Sequence, residues 1–203
     1  WQWWFVKGQL KRRGKYVNGV KEGRWSEWFS DGNLSSSFSY LNGKLNGKGI
    51  ERYKNGEKKS EILYRNDIKS GIDKLWSING IPDYEFRWKD GVEEGLHIDY
   101  NDLGLILYEH NYSKGLFHGA FVEYFNDGQQ SINGKYKMGN KIGPWVWKYK
   151  DGVIALNGFY KNNIPVGSWY WIRANKSEMV NVDSPKKDWV SQRIREWGEI
   201  NNQ

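Results

Sequence analysis

The chain has 203 residues, 38% apolar and 17% aromatic, with a formal net charge of +7 and no cysteine. That composition is too apolar for a disordered chain and long enough for one large domain or two small ones. It leaves no disulfide framework or thiolate metal site, and no apolar run approaches the ~20 residues of a membrane-spanning helix.

At the N-terminus, Trp1, Trp4, Phe5 and Gly8 match Trp25, Trp28, Phe29 and Gly32, so the sequence begins halfway through a repeat. With Trp rather than Met at position 1, an upstream signal, anchor or further domain is expected to have been removed. Localisation stays open between the cytoplasm and, with a signal removed, the cell envelope or exterior.

The repeat is fixed by three columns. Tyr16, Tyr40, Tyr64, Trp88, Tyr112, Tyr136 and Tyr160 recur every 24 residues. Gly23, Gly47, Gly71, Gly95, Gly119, Gly143 and Gly167 follow them at a constant offset, and Gly32 begins a third column that runs to Gly152. A fixed period of this length marks a repeat architecture.

Each unit reads as two strands. Arg24 to Ser30 runs into Asp31-Gly32, a dipeptide suited to a two-residue hairpin turn; Asn55-Gly56, Asn79-Gly80, Asp127-Gly128 and Asp151-Gly152 repeat it. The other turn, Asn18 to Gly23, reads as a wider six-residue loop. The expected fold is all-β: a single-file antiparallel β-hairpin array over residues 1–173, a half repeat plus seven units. A linker and an amphipathic C-terminal capping helix follow over 174–203.

A turn at Asp31-Gly32 sets Phe29 opposite Leu34, Glu27 opposite Ser36, Trp25 opposite Phe38 and Gly23 opposite Tyr40, all on one face. Repetition adds Tyr53, Phe121, Phe125, Trp145, Tyr149 and Trp169 to this aromatic face, with Ile62 and Phe86. Arg24, Ser26, Ser35, Ser37 and Ser39 fall on the other, wetter side. An apolar sheet face needs a cover or a partner. Trp25, Phe121, Trp145 and Trp169 share a column that becomes Gly49, Asp73 and His97 elsewhere, and such variation is how repeat arrays diversify a binding groove. With Trp147 and Trp171 two residues on from Trp145 and Trp169, these six aromatics are the candidate partner-binding residues. Packing beneath the C-terminal helix is the competing role for the four tryptophans.

Charge is segregated. Residues 1–35 hold seven cations against three anions, residues 84–107 two against six, and residues 132–155 five against one. A nucleic-acid interface favours a continuous basic stripe, so nucleic acid is not the expected partner. Lys7, Lys11, Arg12, Arg13 and Lys15 cluster near Trp1, Trp3, Trp4 and Phe5, which is the pattern of an anionic membrane-surface contact. Glu27, Glu51, Asp99 and Glu123 share a column ~10 Å apart between neighbours, slightly long for an acid–base pair, with Ser36, Ser60 and Tyr108 as hydrogen-bonding candidates across the hairpins. His97, His110 and His118 fall in different columns, and no P-loop or dinucleotide fingerprint occurs. Neither an enzyme nor a cofactor nor a metal site is expected.

At the C-terminus, Ser184 is placed as N-cap and Pro185 as the first helical residue, with Trp189, Val190, Ile194 and Trp197 on one stripe. A helix of ~15 residues, ~22 Å long, can cap one end of the array.

The motif aromatic-x-x-Gly-x-x-x-Gly-x-Trp-x-x-Tyr/Phe-x-x-x-Gly resembles the bacterial variant of the MORN repeat and is similar to the YwqK-like antitoxin family over residues 1 to about 172. Asp67 and Asn163 depart from it at the first glycine, Gly49, Asp73 and His97 at the tryptophan, and Lys176 at the last glycine. The resemblance implies a bacterial, non-enzymatic binding protein of antitoxin, immunity or scaffolding type. Its partner would be a protein, a toxin or complex subunit, with an anionic membrane surface as the alternative.

Overall fold

The computed structural model describes residues 1–173, 176–182 and 187–201. Among these lie eighteen strands and one helix, and every strand pairing is antiparallel between strands close in sequence. The all-β hairpin array with a C-terminal helix is therefore what the chain forms. The chain divides into two compact units, Trp1–Gly104 and Leu105–Gln203.

The first unit holds β1 (Gln2–Trp4), β2 (Leu10–Val17), β3 (Val20–Trp28), β4 (Leu34–Leu41), β5 (Lys44–Leu45), β6 (Gly47–Arg52), β7 (Lys58–Arg65), β8 (Ile68–Trp76), β9 (Pro82–Lys89), β10 (Val92–Glu93) and β11 (Gly95–Tyr100). β5 and β6 both pair with β4, as two halves of one strand broken at Asn46, and β10 and β11 pair in the same way with β9. The second unit holds β12 (Ile106–Ser113), β13 (Leu116–Tyr124), β14 (Gln130–Lys137), β15 (Asn140–Lys148), β16 (Ile154–Lys161), β17 (Ile164–Arg173), β18 (Lys176–Asn181) and α1 (Lys187–Asn201). β18 lies in the stretch read as a linker and pairs with β17 from Arg173↔Lys176 to Ser168↔Asn181. The expected cap at Ser184 and Pro185 lies outside the described residues.

Both turns differ in size from expectation: the six-residue loop is a two-residue turn, and the two-residue turn is a three-residue loop. Val17 pairs with Val20, so the loop is only Asn18-Gly19, with φ of 50° and 79°. Positive φ at both positions is the two-residue turn whose twist matches a hairpin. Where Asp67 and Asn163 replace glycine they keep φ at 67°, and each side chain adds a bond. Leu45 N–H donates to Asp67 Oδ1 at 2.7 Å, and Lys141 N–H to Asn163 Oδ1 at 2.7 Å. Around Asp31-Gly32 the loop has three residues. Phe29 N–H donates to Asn33 O at 2.8 Å, Gly32 N–H to Phe29 O at 3.0 Å, and only Gly32 has positive φ, 93°. This is the three-residue loop with a glycine bulge. Pairing runs as expected from Gly23↔Tyr40 to Glu27↔Ser36, then slips so that Leu34 faces Trp28 instead of Phe29.

Paired columns explain the core. Position 25 and its equivalents sit beside a residue eleven earlier in the chain, and the two fill one space. A Cβ on Gly14 would fall inside the ring of Trp25, and Gly134 and Gly158 stand in the same relation to Trp145 and Trp169. Where the later residue is Gly49, the earlier one is Phe38, whose ring would lie 2.6 Å from a Cβ on Gly49. Phe86 meets His97 with ring centroids 3.2 Å apart, His110 stacks on Phe121 at 3.9 Å, and Ile62 pairs with Asp73. Interiors are packed to near-crystalline density, so where one member of a pair is Trp, or where Phe38 takes the space, the other is glycine, and the remaining pairs share the space between two smaller side chains.

Candidate partner-binding surfaces

The six aromatics expected to line a groove are all buried: Trp25 at 4%, Phe121 at 8%, Trp145 at 1%, Trp147 at 2%, Trp169 at 0% and Trp171 at 3% exposure. They are core, and an open groove is ruled out for them. In the first unit Trp25 is enclosed by Trp3, Tyr16 and Tyr40, with Lys21 Nζ 4.8 Å from its ring centroid, and its indole N–H donates to Lys15 O. In the second unit Phe121, Trp145, Trp147, Trp169 and Trp171 form one cluster with Leu156, Tyr160, Val182 and Val190, and Trp189, Ile194 and Trp197 of α1 pack against it. Trp197 Nε1 donates to Lys148 O at 2.8 Å, and Arg193 bridges Glu178 at 2.9 Å and Glu196 at 2.7 Å with its guanidinium over Trp171 and Trp189. The helix stripe covers the aromatic face of the last hairpins, as the packing alternative required.

Burial there moves two titrations. Desolvation lowers the Lys141 pKa, opposed by the charge of Glu123, while the ammonium sits 4.5 Å from the Trp145 ring centroid and 5.3 Å from that of Tyr160. Burial, with a smaller contribution from Tyr136, pushes the Tyr160 phenol up to about 12.

The opposite, outer face of the second unit is open. Phe159 is 55% exposed, Tyr170 48%, Met179 61% and Ile172 36%. Tyr170 pairs with Met179 and with Asn157, and Phe159 is the neighbour of Asn157 two residues along β16. Diagonal neighbours of this kind lie within reach of aromatic side chains. Pro144, opposite Phe159, and Val146, opposite Asn157, extend the patch. Lys135, Lys137 and Lys161 flank it, all exposed, and none makes an ion pair among the described residues. Two carboxylates of this end, Glu178 on the aromatic face and Glu109 on the outer face, are already engaged. Glu178 faces Trp171 on the aromatic side and is held by Arg193, while Glu109 accepts the Tyr124 hydroxyl at 2.6 Å.

The basic residues of the N-terminal end split between two faces. Arg12 lies on the aromatic side, with Nε 2.7 Å from Glu27 Oε1 and the guanidinium over Trp3. Lys11, Arg13 and Lys15 alternate with it and are exposed on the other face, and Lys7 lies in the exposed turn before β2. The carboxylate column is a set of separate cross-strand contacts. Glu27 is held by Arg12 although paired with Ser36, Glu51 accepts the Ser60 hydroxyl at 2.9 Å, and Glu123 lies 3.6 Å from His110 Nε2. Asp73 is buried and bonded by Lys69 Nζ at 2.8 Å. Among the described residues no cluster of His, Asp or Glu could hold a metal ion, and no helix is long and apolar enough to cross a membrane.

Neither the outer patch nor the pairing of position 25 with position 14 emerged from reading columns one at a time. The signal lay in two columns eleven residues apart, where glycine in one accompanies a large ring in the other at Gly14, Gly49, Gly134 and Gly158. No protein-family model matches the chain, and no curated protein matches its sequence.

Proposed function

We propose that the chain is a non-enzymatic repeat protein that binds a protein partner through the outer face of its second unit. The observation that carries this reading is an apolar patch built on Phe159, Tyr170, Ile172 and Met179, beside three exposed lysines that make no ion pair among the described residues. An exposed apolar patch on an otherwise polar sheet marks an interaction surface. Aromatic residues supply most of the energy at such surfaces, and like charges at the rim steer the approach of an opposite charge. The fitting partner is therefore a protein surface that presents apolar side chains ringed by Asp and Glu. The resemblance to antitoxin-type repeats makes a toxin or complex subunit the expected class. The aromatic face of the last hairpins is filled by its own rings and by α1.

The test is affinity isolation from the native cells with the full chain and with Phe159→Ser/Tyr170→Ser. Both changes are on exposed side chains, so the melting temperature should move by no more than a few degrees. A partner retained by the natural chain, released with rising salt and lost with the variant supports the reading. Equal retention by both chains places the contact elsewhere. Binding to anionic vesicles with no protein retained replaces the partner with a membrane surface.

A further inference from the structure

We propose that the first unit carries a separate site, a cleft on its outer face that takes a small anionic ligand with a planar apolar body, of which a nucleotide is the plainest case. The cleft is shallow and open to solvent, with a volume of about 990 Å³, and its lining includes Trp4, Arg13, Lys15, Arg24, Ser26 and Trp28. That volume lies at the upper end of the range for small-ligand sites. Its chemistry is in two parts.

The cationic part is laid out by register. Arg13 faces Ser26 across β2 and β3, and Arg24 is two residues from Ser26 on the same side of β3. Arg24 Nε donates to Ser37 Oγ at 2.6 Å, which fixes the guanidinium while its terminal nitrogens make no bond among the described residues. Arg13 and Lys15 are exposed and make no ion pair among the described residues. No carboxylate lines the cleft. Glu22, opposite Lys15, has Oε2 engaged by the Asn42 N–H at 2.8 Å. Guanidinium groups present parallel N–H pairs that match phosphate and carboxylate oxygens.

The apolar part is two indoles. Trp4 and Trp28 hold the same place in successive repeats, on β1 and β3, and so stand two strand spacings, ~10 Å, apart. Trp4 is 56% exposed. A ring stacked on either indole brings an attached phosphate toward β2, where Arg13 stands between Gln2 and Ser26, two residues along the strands from the indoles. Stacking of bases on exposed aromatic rings beside cations is a general mode of nucleotide recognition.

Calorimetric titration of the full chain with ADP, adenosine and pyrophosphate tests the site. ADP should bind, with adenosine and pyrophosphate each at least ~10-fold weaker, because each engages one half of the cleft. Arg13→Gln should weaken ADP at least ~3-fold and Arg13→Gln/Arg24→Gln ~10-fold, while Trp28→Leu should weaken ADP and leave pyrophosphate unchanged. Arg13 is exposed, so the single variant keeps the test decisive if the double variant fails to fold. Absence of ADP heat at millimolar concentration overturns the site. Pyrophosphate binding as tight as ADP and indifferent to Trp28→Leu also overturns it, leaving charge alone. Adsorption to anionic vesicles that ADP does not displace would reassign the cations to a membrane surface.

Discussion

Replacing Trp145 by Gly should open a void in the second unit, because its ring is 1% exposed and lies directly over Gly134. Truncating a buried large aromatic costs about 3–5 kcal/mol. For a chain of this length that corresponds to a fall in melting temperature of about 6–20 °C. Gly134→Phe alone should also destabilise, since its Cβ would fall within the Trp145 ring; overpacking costs about 1–3 kcal/mol or more. The informative variant carries both changes. Phe at 134 with Gly at 145 copies Phe38 and Gly49, the arrangement the first unit already uses. The double variant should be more stable than the sum of the single losses by at least about 2 kcal/mol, toward the upper end of coupling between touching residues. Urea unfolding of the four chains, followed by near-ultraviolet circular dichroism, measures this. Additive losses would refute the shared-space explanation of the two columns.

Three further outcomes are expected. The Tyr160 phenol, raised by burial to about 12, favours its neutral form in the folded state; its contribution, about 2–3 kcal/mol, is complete below pH 10 and lost as pH rises from 10 to 12. Melting scans should show a steeper alkaline decline for the natural chain than for Tyr160→Phe. Asp67→Ala removes the acceptor of the Leu45 N–H and leaves an alanine at φ 67°, so it should cost about 1–3 kcal/mol, whereas Asp67→Asn should be nearly neutral, both read from urea midpoints. Arg193→Met breaks the bridges to Glu178 and Glu196, and amide exchange in α1 should accelerate while β6 to β9 exchange at their former rate.

The period of 24 residues was enough to read the strands, the face they share and the pairing from Gly23 to Glu27. Turn size was not legible from the same glycines. Asp-Gly fits both a two-residue turn and the end of a three-residue loop, and the choice is made by Phe29 bonding to Asn33, a pairing outside the dipeptide. The candidate groove failed for a different reason. Gly49, Asp73 and His97 look like surface variation when their column is read alone. Beside Phe38, Ile62 and Phe86 they are the complements that keep a core filled. With Trp145 and its neighbours in the core, the exposed aromatics of the last hairpins are Phe159 and Tyr170 on the outer face, which no repeat column marks. The capping helix was legible from the spacing of Trp189, Val190, Ile194 and Trp197, because one apolar stripe requires one apolar floor.

The two faces of the second unit can be compared directly by photo-crosslinking in the native cells. Tyr170, 48% exposed on the outer face, and Tyr108, 37% exposed on the aromatic face, are each replaced by a photoreactive phenylalanine in the full chain. The outer-face reading predicts a protein adduct from position 170 and none from position 108. An adduct from position 108 alone would contradict it.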